Sequence, residues 1–368
     1  MSAIIFYPEV EAFGGEERVL LGLSHALHVR GIAHRIVCYF DHVGLQRHAD
    51  WQLDLVILNP NGGAWSKARA LKAYLAGQSP LGQVLLFGIQ AAVHAGLAGL
   101  TGYSVRVADT PSLQTLPREL GTLTRLKQQA QGWMFMRMAK RGFRRADGVI
   151  ANANYLGVEL RSLYGVKPAT IYIGAKEALP AIRKPLHARM ALGPHLLSVS
   201  RLEPNKRIDW LIEAFETVVR TRPDTRLVLD IAGAGAEAAM LQSKCTTLGL
   251  NKSVVFHGFV SEADLEKLYG NAAMFVMPAV QGFGLPALEA LARETPVVMH
   301  RQSGASEIFE NSAWVSVFDG GPEALAAAIL DMLDRIESGS LAAEEAPRPP
   351  SEDDFGAEIA RYCGWLGQ

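Results

Sequence analysis

Short apolar runs alternate with helical segments along most of this 368-residue chain, and that alternation restricts the possible folds more than any other feature of the sequence. In the first half, strands are expected at 4–7, 35–39 and 53–58, and apolar residues recur at helical spacing over 16–30. Strands that alternate with helices form parallel sheets, because each helix carries the chain back to the edge where the next strand begins. The sequence therefore predicts an α/β protein with doubly wound parallel sheets.

Two such series are present, and a chain of this length usually forms more than one core. The first series ends with a strand expected over 169–173, and the second begins with one over 195–200. Between them, Pro180, Pro185 and Pro194 are expected to discourage regular structure. The expected divisions are a first domain, a linker, a second domain and a tail that returns to the first domain, at 1–175, 176–194, 195–345 and 346–368.

Charge and cysteine content argue against several classes of function. The 36 basic and 37 acidic residues give a formal net charge of -1, which argues against non-specific nucleic-acid binding. Cys38, Cys245 and Cys363 are odd in number and far apart, so neither a disulfide framework nor a zinc cluster is indicated. The first residues reach Glu9 without the basic segment of a signal peptide, and we therefore expect a cytoplasmic protein.

The segment 118–145 combines positive charge with large apolar side chains, including Trp133. Its eight basic residues accompany only one acid, Glu119. A basic amphipathic helix of this kind suits the surface of an anionic bilayer or a pyrophosphate-bearing lipid, at the inner face of a membrane. It equally suits a long helix whose apolar side lies in the core, and the sequence leaves both interpretations open. The residues expected to meet an acceptor or a membrane are Arg137, Lys140, Arg141 and Arg144.

The stretch 281–292 follows an apolar run and predicts a glycine turn that opens a helix. Gly282 and Gly284 allow close approach to the backbone, and a helix that begins near Leu285 presents unpaired amides and a positive dipole end to an anion. Glu289, one turn further on, can accept hydrogen bonds from hydroxyl groups of the same ligand. A phosphate beside a diol indicates a nucleotide.

Two cations follow the strand expected over 195–200. Arg201 and Lys206 stand five positions apart in one loop. Together they could bind a diphosphate and neutralise the charge that develops as it leaves. Solvated loop charges are an equally open interpretation.

Pairs of glycines occur at two other strand-to-helix turns. Gly14 and Gly15 could let a phosphate or sugar contact backbone amides, or could form only a tight connection. Gly233 and Gly235 resemble part of a dinucleotide-binding loop, but Ala238 replaces the third glycine of that motif. We therefore expect a close turn beside the ligand at the second pair.

In this order, the motifs resemble the family-4 retaining glycosyltransferases of the GT-B fold, within glycosyltransferase group 1. The similarity covers most of the chain. The stretches that carry it are 14–18, 200–201, 206, 233–235, 257–260, 281–289 and 296–298. The resemblance implies two Rossmann-like domains facing a cleft, a GDP- or UDP-sugar as donor, and no cofactor or metal ion.

The resemblance also assigns roles to matching residues. It places Gly14 and Gly15 beside the donor sugar and its phosphates. It assigns Arg201 and Lys206 to the diphosphate and Glu289 to the ribose. The nucleotide-sugar-binding residues that it implies are Gly14, Gly15, Arg201, Lys206, Gly233, Gly258, Gln281, Gly282, Phe283, Gly284, Leu285 and Glu289.

Two positions depart from the family pattern near the reacting sugar. Gln281 stands where the family has the first of two glutamates, and it lacks the negative charge that would stabilise an oxocarbenium-like transition state. Ala108-Asp109 stands where the family has His-Asp, so Asp109 or a backbone carbonyl would do the work of the histidine. The expected catalytic residues are Arg201, Lys206, Asp109 and Gln281.

The function expected from this resemblance is that of a retaining glycosyltransferase. It would move a hexose of the mannose or glucose type to a saccharide or lipid-linked saccharide acceptor, in the synthesis of a cell-surface polysaccharide or glycolipid. Three alternatives stay open. They are a degenerate, non-catalytic partner protein with the same fold, a sugar-nucleotide epimerase, and a nicotinamide oxidoreductase suggested only by the turn at Gly233.

Overall fold

The chain forms two compact units, each with its own parallel sheet. The computed structural model describes residues 2–78, 84–108, 122–176, 185–191, 193–279 and 282–366, with side chains described from 132 onward in the helix that begins at Thr122. Unit 1 comprises 1–174 and 351–368, and unit 2 comprises 175–350.

Unit 1 is a doubly wound α/β unit. Its strands are β1 (Ala3–Phe6), β2 (Glu9–Val10), β3 (His34–Cys38), β4 (Phe40–Asp41), β5 (Leu55–Ile57), β6 (Val84–Phe87), β7 (Tyr103–Val107), β8 (Gly148–Ala151) and β9 (Ala169–Thr170). Its helices are α1 (Gly15–Val29), α2 (Ala64–Ala76), α3 (Gly88–Ala98), α4 (Thr122–Arg145), α5 (Asn154–Tyr164) and the C-terminal α13 (Glu352–Tyr362).

The main sheet of unit 1 is parallel, with strand order β5-β3-β1-β6-β7-β8-β9, and β2 pairs with β4 beside it. The central strands β1 and β6 are buried along their whole length, which explains why both are unbroken apolar runs in the sequence. Ile4 pairs with Val84 and Ile5 with Leu85. Strand order reverses between β1 and β6, so this pair marks the switch point of the sheet.

Helices α3 and α4 cross closely because glycine occupies the contact on both helices. A Cβ atom at Gly142 would lie 1.9 Å from the carbonyl oxygen of Ala92, and one at Gly96 would lie 2.3 Å from that of Met138. Neither distance is possible between real atoms, so any larger residue would push the helices apart. Phe143 is buried beside this crossing, which places one side of α4 in the core.

The last helix, α13, packs against α1 and is therefore part of unit 1. A Cβ atom at Gly356 would lie 2.3 Å from Cβ of Ala26, so the two helices touch backbone to side chain. Phe355 and Ile359 are buried in the contact. The side chain of Ser351 caps the amino end of α13 by accepting from the amide of residue 354.

Unit 2 repeats the architecture. Its strands are β10 (His195–Val199), β11 (Val228–Ala232), β12 (Val254–Gly258), β13 (Met274–Met277), β14 (Val297–His300) and β15 (Val315–Phe318). Its helices are α6 (Leu186–Ala191), α7 (Ile208–Thr221), α8 (Ala238–Thr247), α9 (Glu262–Asn271), α10 (Leu285–Ala292), α11 (Ser306–Phe309) and α12 (Pro322–Glu337). The sheet is parallel in the order β12-β11-β10-β13-β14-β15, and its order reverses between β10 and β13.

The predicted fold class is confirmed, and one expectation about the linker is corrected. We expected prolines to discourage regular structure over 176–194, but α6 forms there. Pro185 directly precedes α6, and its carbonyl accepts from the amides of Ala188 and Arg189. Proline is compatible with the start of a helix because the amide that it lacks has no partner there. None of the described helices is both long and apolar enough to cross a bilayer.

Candidate active site

The loops that carry the predicted donor-binding residues of unit 2 lie at one edge of its sheet. Because the strands are parallel, their carboxyl ends share that edge. The loop 200–206 follows β10 and the turn 282–284 follows β13, the two strands at the switch point. The crevice outside the carboxyl ends of strands at a switch point is where doubly wound sheets bind ligands.

Gly233 and Gly235 bring the loop after β11 against the loop after β10. A Cβ atom at Gly233 would lie 1.8 Å from the carbonyl oxygen of Ser200, and one at Gly235 would lie 2.3 Å from that of Leu202. The amide of Gly233 donates to the carbonyl of Gly258 at 2.8 Å. The two glycines therefore act as spacers between neighbouring loops, which accounts for them without a dinucleotide-binding role.

The two predicted diphosphate-binding cations lie on the loop after β10. The side chain of Arg201 is 73% exposed and pairs with Glu203 at 2.8 Å. An exposed pair of this kind stabilises a protein by about 1 kcal/mol or less, so an anionic ligand can replace Glu203 at little cost. Lys206 ends the short 3-10 helix Pro204–Lys206 and is partly buried.

Gly282 and Gly284 give the turn before α10 its left-handed backbone, with φ angles of 113° and 98°. A Cβ atom at Gly284 would also lie 2.8 Å from Oγ of Ser303. Gly284 is the N-cap of α10, so the turn leads directly into the helix at Leu285. The Gly284 carbonyl accepts from the amides of Ala287 and Leu288, and Pro286 has no amide hydrogen, so the amides that can face an anion are those of the turn and of Leu285. Gln281, which precedes this turn, lies outside the described residues.

A second loop holds this turn in place. The amides of Gly304 and Ala305 donate to the carbonyls of Gly282 and Phe283 at 2.9 and 2.7 Å. Ser303 Oγ also donates to the Phe283 carbonyl, at 3.1 Å. Carbonyl oxygens repel anions, and these two are engaged by the neighbouring loop. The turn is therefore suited to present amides to a negatively charged ligand.

Glu289 lies one turn into α10 and is only 2% exposed. Tyr269 Oη donates to Glu289 Oε2 at 2.9 Å, and Arg293 Nη1 donates to the Glu289 carbonyl at 2.6 Å. A buried carboxylate needs such partners, because burial without hydrogen bonds is costly. The sequence singles out Glu289 but indicates neither its burial nor its contact with Tyr269.

A cavity of about 170 Å³ lies at the carboxyl edge of the unit 1 sheet. Its walls come from the chain that follows β1, β6 and β7, and so it lies at the switch point of that sheet. Glu9, Glu16, Gln90 and Ala108 are among the residues that line it. Asp109, the next residue and a predicted catalytic group, lies outside the described residues.

Both carboxylates in the cavity wall are paired with cations. Lys67 donates to Glu9, and Arg106 Nη1 lies 2.8 Å from Glu16 Oε2. Arg106 is buried, and its guanidinium carbon lies 4.8 Å from the centre of the Phe87 ring. Paired carboxylates accept hydrogen bonds without adding net negative charge. The cavity therefore suits a ligand rich in hydroxyl groups.

The turn at Gly14 and Gly15 is capped by a carboxylate of this chain. The Gly14 amide donates to Glu17 Oε2 at 3.0 Å, and Tyr7 Oη donates to Glu17 Oε1 at 2.6 Å. Burial and the hydrogen bond to Glu17 raise the pKa of Tyr7, so this hydroxyl remains a donor. With Glu16 and Glu17 in the first turn of α1, this helix start favours a sugar hydroxyl over a phosphate.

The described part of α4 has two different sides. Ala139 and Phe143 are buried, whereas the exposed fractions of Trp133 and Met134 are 64% and 52%. The guanidinium carbon of Arg137 lies 5.3 Å from the centre of the Trp133 ring. The predicted basic residues are exposed or partly exposed at Arg137, Lys140, Arg141 and Arg144. One side of α4 is thus core, and the other carries aromatic, apolar and basic groups.

Among the residues that the structure describes, no group of three or more His, Cys, Asp or Glu side chains is placed to hold a metal ion. Asp230 lies between two histidines in unit 2. It accepts from His195 Nδ1 at 2.6 Å and from His257 Nε2 at 2.7 Å. Each oxygen of Asp230 is thus engaged by one imidazole.

A known family model matches most of unit 2. Residues 192–346 match the family model described as "Glycosyl transferases group 1", and this segment contains the loop 200–206, the turn 282–284 and Glu289. Over this segment, unit 2 is therefore similar to the group 1 glycosyltransferases.

Two curated relatives match parts of this chain. An uncharacterised glycosyltransferase of Methanocaldococcus jannaschii is 39% identical over 135 residues, which cover 36% of this chain and 33% of that protein. A GDP-mannose-dependent alpha-(1-6)-phosphatidylinositol monomannoside mannosyltransferase of Mycolicibacterium smegmatis is 30% identical over 223 residues, covering 55% of this chain and 58% of that protein. The chain thus spans 33% and 58% of the lengths of these two curated relatives.

Solved structures match the whole chain, including unit 1. The structure of HepE from Anabaena in complex with UDP superposes with a TM-score of 0.73 at 19% identity, with 100% of both chains covered. At that identity the likeness establishes the fold. The predicted GT-B architecture of two Rossmann-like units is confirmed.

Side chains that support the predicted residues were not found from the sequence. Tyr269 and Arg293 contact Glu289, and Lys67 contacts Glu9. Tyr269 is 20 residues from its partner and Lys67 is 58 residues from its own, so no local spacing links them. The sequence offers one general signal for them. Tyr269 and Arg293 flank apolar segments, and polar side chains that are buried there must find polar partners.

Proposed function

We propose that this protein is a retaining glycosyltransferase that moves a hexose of the mannose or glucose type from a nucleotide sugar to a saccharide or lipid-linked saccharide acceptor. The observation that carries the proposal is the arrangement at the switch point of unit 2. There the cationic loop at Arg201 and Lys206 and the start of α10 occupy the ends of neighbouring strands. An anion of two phosphates fits cations and helix amides together.

The proposed chemistry follows from these groups. The bond between the anomeric carbon and the diphosphate oxygen breaks, and the acceptor hydroxyl oxygen bonds to the same face of that carbon. The hydroxyl proton passes to a diphosphate oxygen. Arg201 and Lys206 stabilise the charge that develops on the leaving diphosphate, a role that a bound metal ion fills in other enzymes. We therefore expect transfer to need no added divalent metal.

The donor base and the acceptor are open within this proposal. One relative carries GDP-mannose in its name, and one structural neighbour was solved with UDP, so both bases need testing. On the acceptor side, the cavity of unit 1 offers the paired carboxylates Glu9 and Glu16. These are suited to hold the hydroxyl groups of a sugar.

A binding experiment followed by a transfer experiment tests the proposal. Thermal shift with GDP- and UDP-linked mannose and glucose is expected to show a rise in melting temperature with one of them, because a ligand at one hundred times its Kd stabilises by about 2.7 kcal/mol. Arg201→Ala should abolish most of that shift. Transfer with EDTA present, followed by NMR of the product anomer, then checks metal independence and retention of configuration.

The non-catalytic alternative predicts a different result. The glutamine at 281 and the alanine at 108, where the family has glutamate and histidine, favour it. A degenerate partner protein would give no sugar transfer with any donor and acceptor pair, and Arg201→Ala would leave its partner function unchanged. Failure of all common nucleotide sugars to bind would contradict the glycosyltransferase proposal and support this alternative.

We also propose that the exposed side of α4 contacts an anionic membrane. Trp133, Met134 and Arg137 combine interfacial aromatic, apolar and cationic groups on one exposed surface. Vesicles with anionic lipid are expected to retain the protein at low salt and release it at high salt. A Trp133→Ala, Arg137→Ala double variant should remain in the supernatant. Equal retention of the variant would contradict this surface.

A further inference from the structure

The environment of Glu289 is unusual for a residue expected to meet a ligand. Its side chain is only 2% exposed, so it can present very little of its carboxylate to anything in the crevice. A ligand that uses this carboxylate therefore depends on how the side chain is oriented. The groups that fix its orientation become part of the binding site.

Tyr269 is the group that contacts the carboxylate itself. It is 1% exposed, and its hydroxyl donates to Glu289 Oε2 at 2.9 Å. The next acceptor along, the carbonyl of Pro286, is further away at 3.3 Å. The hydroxyl thus fixes the position of Oε2 within the buried site. Phenylalanine would fill the same space, so the hydroxyl serves the carboxylate and not the packing.

The tyrosine ring is itself held from a second direction. The guanidinium carbon of Arg293 lies 4.9 Å from the centre of the Tyr269 ring, and Arg293 Nη1 donates to the Glu289 carbonyl at 2.6 Å. Arg293 is anchored in turn by Glu266, with Nε donating at 2.9 Å. The main chain and the side chain of Glu289 are thus both fixed by one buried cluster.

A helix from outside α9 and α10 completes the cluster. Arg189, on α6, is buried and donates to the carbonyls of Ala272 and Arg293 at 3.0 Å each. It also donates to Thr295 Oγ1 at 2.7 Å. These contacts join the ends of α9 and α10, and so they fix the distance between Tyr269 on α9 and Glu289 on α10.

From this geometry we propose that Tyr269 is a positioning residue for the donor nucleotide, holding Glu289 so that its carboxylate accepts hydrogen bonds from the ribose hydroxyls. The inference rests on the proposed function, because it requires a nucleotide at this edge of unit 2. It assigns Tyr269 no contact with the reacting sugar. Its loss should therefore weaken recognition of the ribose and leave the chemical step itself intact.

Binding measurements on the full chain test the proposal. The ligands are UDP and GDP with their 2′-deoxy counterparts, titrated by calorimetry. Tyr269→Phe is expected to raise the Kd for the ribonucleotide about tenfold, as for a lost hydrogen bond to a charged group, and to change the Kd for the deoxynucleotide much less. In transfer assays KM for the donor should rise while kcat stays near its original value.

Two further variants identify the path of the effect. Glu289→Gln should also reduce the preference for ribose, and adding Tyr269→Phe to it should produce little further change, because the tyrosine acts through the carboxylate. Tyr103→Phe is the matched control. Tyr103 is buried in unit 1 and donates to the Gly142 carbonyl at 2.6 Å, so its loss removes a similar hydrogen bond without touching unit 2.

Each outcome has one meaning. If the original protein binds neither nucleotide, the proposed function fails and the role of Tyr269 fails with it. If Glu289→Gln weakens binding and Tyr269→Phe does not, the function stands and the positioning role is wrong. Equal weakening for ribose and deoxyribose in Tyr269→Phe would show a merely structural residue. If Glu289→Gln leaves the Kd of both nucleotides unchanged, the carboxylate does not meet the ribose and the positioning role of Tyr269 is also wrong.

Discussion

Gly233 shows how a single absent side chain shapes the ligand edge of unit 2. Its φ angle of 137° is one that L side chains rarely adopt, and a Cβ atom there would meet the Ser200 carbonyl. The loop that carries Arg201 therefore lies where it does partly because position 233 has no Cβ atom. Backbone strain and close contact therefore both oppose a side chain at Gly233. A substitution at another glycine that has a positive φ angle but no close contact measures the strain alone.

We expect Gly233→Ala to lower the free energy of unfolding by more than about 3 kcal/mol, since backbone strain and overpacking each cost about 1–3 kcal/mol. Gly249→Ala is the control. Its φ angle is 72°, but the described residues place no atom within 4 Å of its Cβ position. It should cost only about 1–2 kcal/mol. Urea denaturation measures both, and equal losses would contradict the spacer role.

The Asp230 cluster makes the stability of unit 2 depend on pH. The hydrogen bond to Asp230 raises the pKa of His195. Burial would raise the pKa of Asp230, but hydrogen bonds from His195 and His257 outweigh burial and lower it. His195 adds fully to the free energy of unfolding below its ordinary pKa of about 6.5, and this stabilisation is lost as pH rises through the raised pKa. Asp230 adds fully to the free energy of unfolding above its ordinary pKa of about 3.9, and this stabilisation is lost as pH falls through the lowered pKa. The pair therefore stabilises most between about pH 4 and 6.5.

We expect His195→Gln to destabilise the protein more at about pH 6 than at about pH 8.5. At the lower pH the substitution removes a protonated histidine paired with Asp230, and at the higher pH it removes a neutral one. The difference should be about 1 kcal/mol or less, since the His195 side chain is 40% exposed to solvent. Urea denaturation at the two pH values checks it. His187→Gln, at an exposed position, should show no such difference. A loss equal at both pH values would contradict the ion pair.

Single residues also show the limit of sequence reasoning. The glycines at 233 and 235 were interpretable because a missing third glycine argued against a dinucleotide loop. The burial of Glu289 was not predictable, because it depends on α9 packing beside α10 and bringing Tyr269 to it. Contacts between residues distant in sequence follow from tertiary packing, and no local pattern records them.

At the scale of elements, apolar periodicity predicted most strands and helices because their buried sides are continuous. It failed where the physical signal was weak or contrary. The prolines of the linker argued against a helix where α6 forms. Strands β2 and β4 have two residues each and are too short to show a periodic pattern. The basic segment at 118–145 gave two interpretations because α4 has both a core side and an exposed side.

The crossing of α3 and α4 permits a test with opposite expected signs on one helix. Gly142→Ala should destabilise unit 1 by about 1–3 kcal/mol or more, because its Cβ would lie 1.9 Å from the Ala92 carbonyl. Gly132→Ala, also in α4, meets no described atom within 4 Å and should stabilise by up to about 1 kcal/mol. Thermal melts compare them. Stabilisation by both would contradict the close crossing.

At the scale of the whole molecule, the order of the motifs along the chain was informative, and the GT-B fold could be predicted from it. What the order could not provide was the detail of the contact between the last helix and the first. That contact depends on Gly356 meeting Ala26 and on Arg30 pairing with Asp353, more than 320 residues apart. It is a property of the assembled unit 1.

Removing residues 351–368 is expected to destabilise unit 1 selectively. The deletion exposes the side of α1 that α13 covers, and it removes the buried Phe355 and Ile359, each a loss of about 2–5 kcal/mol if truncated singly. Limited proteolysis with mass spectrometry should find cleavage concentrated within 2–174, while 175–350 survives. A Phe355→Ala variant should show a weaker version of the same pattern. Cleavage spread evenly over both units would contradict it.

Unit 1 consists of two segments that are separated along the chain, and this affects the order in which the units can fold during translation. Domains commonly fold as units in the order of their synthesis. Here the β1 to β9 segment is synthesised first, but its covering helix emerges only after the whole of unit 2 has been translated. Unit 2 can therefore finish folding before unit 1 does. Until then, the side of α1 that α13 covers in the folded protein has no partner from the same chain and is available to chaperones.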